Sequence, residues 1–555
     1  MHGDTVVPAV PTVPEVSSDA PPALGSLVRL MQPAQEETGL PRRSSSLDVP
    51  TSEGWGVPPD DANTELVARV HPPAWQNPQP APKYDLVVLG GGTAGLVSAM
   101  GAAGLGARVA LIERHLLGGD CLNTGCVPSK AVLRSARAVG ELRRAASLGV
   151  STARVEVDFG AVMRRMRQRR AGIAKHDSAE RLRAAGVDVF FGAASFADAR
   201  TVLVDGHALR FRRAVIATGG RPVAPPISGL DEVPFLSNET VFSLTELPRR
   251  LLVIGAGPIG CELAQAFVRF GSNVTVFDMS TQVLPREDVD AAAIVRRSLQ
   301  SDGIRFELGV RLDRVDMVNH ELRIHYTRQG EGRLESGSAA GDTLLVAAGR
   351  APNIEGLNLE AAGVTATKQG VTVNDRLQTS NPRVYASGDV CSRYQFTHAA
   401  DAMSRIVIQN ALFYGRRKVS ALTIPWVTYT DPEVAHVGAD DRDVQQSNGR
   451  LQTITVPLSD IDRAVVDDET HGFVRVHHER GRLRGCTIVA AHAGEMIAEA
   501  VYAITARGTL SALSSTIHPY PTQVEALRKA GDLYRRQSLT PNVRKWFQRY
   551  FAWTR

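Results

Sequence analysis

Cysteine is scarce, with five residues in a chain of 555. That excludes a disulfide framework and suits a reducing compartment, where close cysteine pairs are more often catalytic or metal-binding. Net charge is only +5, and the chain shows no RNP, zinc-finger or helix-turn-helix pattern. It therefore gives no case for nucleic acid. The N-terminus lacks a basic start followed by an apolar run, so no secretory signal is expected. Residues 1–80 carry ten Asp/Glu against four Arg, with no Lys and no Cys, and this argues against an organelle transit peptide. The cytoplasm is the expected compartment. One uncharged run, Leu86 to Ala107, is long enough to cross a bilayer. Its glycines fall in a nucleotide-binding pattern, so no membrane span is expected there.

Proline is concentrated rather than absent. Fourteen of thirty-one prolines fall in residues 1–80, among Ser, Gln and scattered acids. Such a stretch buries too little apolar surface to offset its ordering entropy, and residues 1–83 read as a disordered Pro-rich arm. Trp75 in "HPPAWQNPQP" is the one residue there suited to dock on the core. A β-rich core begins at "KYDLVVLG".

From that point one plan occurs twice, in "YDLVVLGGGTAGLVSAMGAAGLGARVALIER" and "RLLVIGAGPIGCELAQAFVRFGSNVTVFDM". Each is an apolar strand, a G-x-G-x-x-G turn, a small-residue helix and a second strand ending in an acid. The first supplies Gly90, Gly92, Gly95 and Glu113; the second supplies Gly255, Gly257, Gly260 and Asp278. The glycines permit a tight turn, let backbone approach a pyrophosphate and allow close helix–strand packing, and the acid suits a ribose diol. One such loop is weak, but two complete βαβ units imply two bound dinucleotides.

The stretch "GGDCLNTGCVPSK" holds Cys121 and Cys126. Zinc would want further Cys or His ligands at short spacing, and Cys261, Cys391 and Cys486 are scattered. No metal site is expected. An ideal helix would hold positions five apart too far from each other for a disulfide, whereas "LNTG" is a loop-like insert that lets the chain close the gap. A pair placed directly after a dinucleotide fold is best read as a redox couple.

Other segments complete the architecture. "AVIATGGRPVAPP" and "TLLVAAGRAPN" are buried strands running into glycine turns, and "VYASGDVCSRYQFTHAA" is a strand, a Gly-Asp turn and a helix start. In the last of these Asp389 is placed to take a sugar or ribityl hydroxyl. Beyond Pro425, "VTYTDPEVAHVG", "TITVPL", "GFVRVHHE" and "GCTIVAAHAG" read as antiparallel strands followed by helices, a separate domain. The expected fold class is α/β, with two Rossmann-like dinucleotide-binding domains and a C-terminal α+β domain.

From about Tyr84 to Glu525 the chain resembles the flavoprotein disulfide reductases, the group of dihydrolipoamide dehydrogenase, glutathione reductase and mercuric ion reductase. The resemblance implies an FAD domain in two parts (84–229 and 355–421), a nicotinamide-dinucleotide domain (230–354), a dimerisation domain (422–535) and a tail (536–555). It implies a homodimer in which "HPYPTQVE" of one subunit reaches the cysteine pair of the other. Cys121 would meet the acceptor and Cys126 would lie against the flavin. Lys130 of "CVPSK" and Glu262 of "GPIGCE" match the pair near the reactive edge of the ring, and Asp389 matches the Gly-Asp flavin contact. Ala94, Ala194 and Thr397 would complete the FAD site, and Val310 and Gly349 would lie along NAD(H). Asp278 repels a 2′-phosphate, which favours NADH; Arg286 keeps NADP(H) open as the alternative.

The departures bear on the acceptor. Thiol-directed members carry a His-Pro-Thr motif followed by a glutamate, and here aligning Pro521, Thr522 and Glu525 puts Tyr520 at the base position. A phenol is a poor base for a dithiol. His518 lies two residues earlier, and Glu525 is placed as partner to one of the two. Tyrosine there resembles mercuric ion reductase, whose C-terminal cysteine pair is missing from "RKWFQRYFAWTR". The resemblance therefore points to the mercuric-reductase-like flavoproteins, passing electrons to a small-molecule acceptor. One rival is a dihydrolipoamide-type enzyme using His518; another is a slow redox sensor that binds a partner. Cys391 reads as a small buried residue and the Arg-rich stretch 162–186 as a solvated helix. The basic aromatic tail suits peripheral contact with a membrane interface.

Overall fold

The computed structural model describes residues 57–151, 154–329 and 333–555. The expectation of disorder over 1–56 lies outside them. For residues 57–83 it is corrected. Helix α1 (Asp61–Val70) is capped by Asp60, whose carboxylate accepts from the Asn63 amide at 2.8 Å. Its Leu66, Val67 and Val70 are buried in the core beneath the first sheet. Spacing at i, i+1 and i+4 makes one apolar stripe, and Pro-rich flanks hid it. Trp75 packs against the same cluster, its indole N–H donating to Val189 O at 3.2 Å.

Strand β1 (Tyr84–Leu89) runs into helix α2 (Thr93–Gly104) and then strand β2 (Val109–Glu113). β1 pairs in parallel with β2, Leu86 opposite Val109, and on its other side with strand His207–Ile216, Leu86 opposite Arg213. Strand β3 (Val187–Phe191) extends the sheet beyond β2. These strands are apolar on both faces because helices and loops cover both. The chain returns to this sheet late, through Val384–Ala386 beside the 207–216 strand.

The second unit repeats the plan. Strand Arg250–Ile254, helix Pro258–Phe270 and strand Asn273–Asp278 sit in a four-stranded parallel sheet with Arg305–Leu308 and Thr343–Val346. A five-stranded antiparallel sheet spanning Pro425 to Ala490 forms the C-terminal domain, packed against helices from Ala493 onward.

Between β2 and β3 lie α3 (Gly119–Asn123), α4 (Cys126–Arg144), α5 (Phe159–Ala174) and α6 (Ala179–Ala184). α5 corrects the reading of 162–186 as one solvated helix. Met163 and Met166 are buried as the apolar face requires, but so are Arg167 and Arg170. Docked α1 covers them: Arg167 pairs with Asp60, and Arg170 donates to Asn63 Oδ1 and Asn123 O, each at 2.6 Å. Burying a guanidinium requires such partners. No helix among the described residues is long and apolar enough to cross a membrane.

Candidate active site

Cys121 and Cys126 occupy different helices. Cys121 lies in the single turn of α3, whereas Cys126 opens the 19-residue α4. Gly125 makes the junction: a Cβ there would stand 2.9 Å from both Asp120 O and Cys121 Cα. Only glycine lets the start of α4 fold back onto α3, and so the five-residue spacing closes. Both cysteines are free thiols.

Their acidities diverge. Burial pushes the Cys121 thiol well up, and the neighbouring Cys126 sulfur adds to the rise. The Cys121 thiol lowers the Cys126 pKa against the opposing effect of burial, with the Lys130 ammonium and Thr397 adding to the fall. Thr397 Oγ1 is 3.7 Å from the Cys126 sulfur. Cys126 is thus the more acidic of the two thiols.

Lys130, one helical turn along α4, brings its ammonium 2.8 Å from Glu262 Oε2 on helix Pro258–Phe270. Glu262 accepts from the Tyr429 amide at 2.9 Å, and the Tyr429 ring lies 4.5 Å from the Lys130 nitrogen. Burial alone would lower the Lys130 pKa, but Glu262 and Cys126 override it and keep the ammonium charged. The two dinucleotide units and the C-terminal domain therefore meet at one cationic group beside the thiol pair. Tyr429 was missed from sequence because its register opposite Lys130 is set by tertiary packing.

The two glycine turns match atom for atom. Glu113 accepts from the Gly91 amide at 2.6 Å, and Asp278 accepts from the Ala256 amide at 2.7 Å. A Cβ on Gly95 would stand 1.8 Å from Gly90 O, and one on Gly260 1.9 Å from Gly255 O. Burial pushes Glu113 up to about 7 despite its backbone donors. Helices α2, 258–270 and 397–412 have no side-chain N-cap, whereas α1, α5 and α6 do. Uncapped amides are ready donors for phosphate oxygens.

Asp389 is half-buried, 3.8 Å from Arg350, too far for a hydrogen bond, and desolvation pushes it up to about 6. Arg350 bonds Asp120 at 2.7 Å, while its buried Nε has no partner. A half-buried acid without a hydrogen bond and an orphan Nε beside it fit a hydroxyl-rich ligand such as a ribityl chain. Ala94 faces Gly388 across this turn, since a Cβ on Gly388 would stand 3.3 Å from its methyl. Ala194 packs on the far side, two residues after Gly192, whose amide donates to Glu113 O. Val310 is buried at the start of its strand, and Gly349 has φ +157 with open space at its Cβ position. Cys391, expected to be buried, is half-buried against the first-domain core, and desolvation pushes its pKa far up.

Tyr520, His518 and Glu525 are not brought to the cysteines within the chain, and they do not partner one another. Tyr520 donates to Asp462 at 3.0 Å, His518 Nε2 bonds Glu499 at 2.9 Å, and Glu525 pairs with Arg528. The expectation that Glu525 holds Tyr520 or His518 is corrected. Position 525 opens a helix, Glu525–Gln537, and its carboxylate meets the arginine one turn along.

Residues 84–404 match the family described as Pyridine nucleotide-disulphide oxidoreductase, and residues 424–531 match its dimerisation domain. The chain is 35% identical over 451 residues to a mercuric reductase of Lysinibacillus sphaericus, covering 80% of this chain and 82% of that one. It is 34% identical over 473 residues to a dihydrolipoyl dehydrogenase of Thermus scotoductus, covering 82% and 98%. The HOCl-induced flavoprotein disulfide reductase RclA of Escherichia coli superposes with a TM-score of 0.71 at 28% identity, covering 81% of this chain and all of that one.

Proposed function

The chain belongs to the pyridine nucleotide-disulphide oxidoreductase family, and from that premise we propose an NADH-preferring oxidoreductase whose Cys121–Cys126 pair passes electrons to a small-molecule acceptor, mercuric-reductase-like rather than dithiol-directed. Enzymes of this family use FAD and NAD(P)H. When bound, FAD supplies the two-electron relay between a nicotinamide and a thiol pair. The uncapped turns at Gly90–Gly95 and Gly255–Gly260 would hold the pyrophosphates, Glu113 and Asp278 the riboses, and Asp389 a ribityl hydroxyl.

One observation carries the reading: Cys126 stands beside Lys130, whose ammonium is 2.8 Å from Glu262, and the Cys121 thiol and that ammonium both lower the Cys126 pKa. The Lys130 ammonium favours negative charge on the Cys126 sulfur, and burial disfavours it on Cys121. The nucleotide preference rests on Asp278, whose oxygens accept from Ala256 and Ser280 amides at 2.7 Å each. Met279 beyond it is exposed and offers no cation to a 2′-phosphate.

The test is an anaerobic NADH titration of the purified holoenzyme, followed by assays with Hg(II), lipoamide, glutathione disulfide and a quinone. A long-wavelength thiolate-to-flavin band after two electrons, absent in Cys126→Ser, is the expected result. Flavin bleaching without that band would sink the redox-pair assignment. A second reading draws on the 2.9 Å His518–Glu499 pair, the acid–base arrangement a dihydrolipoamide-type enzyme needs. Brisk lipoamide turnover that is lost in His518→Ala would favour it.

A further inference from the structure

The C-terminal helix, Pro541–Thr554, has no buried residue although it carries five aromatic rings. Trp546 is 61% exposed and Trp553 83%. At about 100° per residue, Val543, Trp546, Phe547, Tyr550, Phe551 and Trp553 fall within an arc of about 160°. The rings order one another along this stripe: Trp546 stacks on Tyr550 at 6.0 Å, and Phe547 on Phe551 at 6.3 Å. Arg544, Lys545, Gln548, Arg549 and Arg555 fill the opposite arc.

Charge is as segregated as hydrophobicity. No Asp or Glu follows Asp532, while Arg535, Arg536, Arg544, Lys545, Arg549 and Arg555 do follow. The rest of the chain holds 57 cationic side chains against 58 acidic ones. The whole basic excess of the protein thus sits in its last 23 residues.

We propose that this helix docks the enzyme on an anionic lipid surface, with the ring stripe in the interface and the cations at the headgroup plane. Trp and Tyr combine an apolar body with a polar edge and suit that depth, while uniform positive charge complements anionic headgroups. A second copy of the chain would bring the same cationic helix against itself. A nucleic acid would satisfy the arginines and leave the ring stripe in water. A lipid surface satisfies both arcs at once. A homodimer presents two such helices, so each raises the effective concentration of the other at the surface.

The experiment is co-sedimentation of the full-length holoenzyme with phosphatidylcholine vesicles, with and without one third phosphatidylglycerol. Binding to the anionic vesicles at least ten-fold tighter than to the neutral ones, reversed by high salt, is expected. Blue-shifted tryptophan emission, lost in a chain ending at Thr540, should accompany it. Each of R544Q, K545Q and R549Q should weaken binding about five-fold, and W546A with F551A should remove the emission shift. NADH oxidation and flavin absorbance of these variants should match those of the parent, which shows that they fold. Equal binding to both vesicles, or to neither, overturns the proposal. So does conversion of a dimer to monomer on removing 541–555, which would assign the helix to the subunit interface. Retention on a polyanion column without vesicle binding would assign it to a polyanionic macromolecule instead.

Discussion

At the scale of single residues, the thiol pair works because its two sulfurs are held in unequal surroundings. Burial raises the Cys121 pKa, whereas the Cys121 thiol and the Lys130 ammonium lower that of Cys126. Lys130→Met should therefore move the Cys126 ionisation midpoint upward, read from thiolate absorbance in the apoprotein across pH. An unchanged midpoint would show that the Cys121 thiol alone sets it. Glu113 makes a second prediction. Its native pKa of about 7, raised from 4.5, means the folded state keeps a proton that the unfolded state releases. Stability contributed by this residue is therefore full below pH 4.5 and falls as pH rises toward 7, by a total on the order of 3 kcal/mol. Thermal unfolding of apoprotein between pH 5 and 8 should show a shallower decline in Glu113→Gln.

At the scale of elements, two glycine turns of one design should fail separately. Gly95→Ala drives a methyl into Gly90 O, and Gly260→Ala drives one into Gly255 O. The first should yield protein without flavin absorbance. The second should keep its flavin and lose reduction by NADH. Loss of flavin from both would reject the assignment of one cofactor to each turn. Helix α1 is part of the core rather than an ornament on it, since Leu66 is fully buried. Leu66→Ala should cost about 2–5 kcal/mol in denaturant unfolding, whereas a residue in a loose arm would cost almost nothing. The same docking explains why two arginines of α5 are tolerated inside: α1 supplies Asp60 and Asn63 as their partners.

At the scale of the whole molecule, Tyr520 and His518 stand apart from the thiols of their own chain, and Ile517, the residue before His518, is exposed, which suits a site shared between subunits. Mixed dimers test this. Subunits carrying Cys121→Ser and subunits carrying Tyr520→Ala with His518→Ala should each be inactive toward acceptor alone. Mixed, their heterodimers should recover about half the parental turnover, since one of two shared sites is intact. No recovery on mixing would place the whole site within one chain.

Much of this protein is written in local pattern. Both dinucleotide units, the acids that end them, the antiparallel C-terminal sheet and the reactive pair all rest on glycine spacing, strand periodicity and neighbouring residues, which constrain backbone directly. Lys130 and Glu262 were legible through the motifs that contain them. What depended on contacts between distant segments was not legible. Helix α1 was hidden by the prolines around it, because its stability comes from the core it meets rather than from its own composition. Arg167 and Arg170 looked solvated because their partners lie about a hundred residues earlier. The partners of Tyr520, His518 and Glu525, the cover of Tyr429 over Lys130 and the unequal acidity of the two thiols were likewise decided by packing alone. Local sequence sets what each segment can form; the free energy of bringing distant side chains together settles which charges are paired and which thiol ionises.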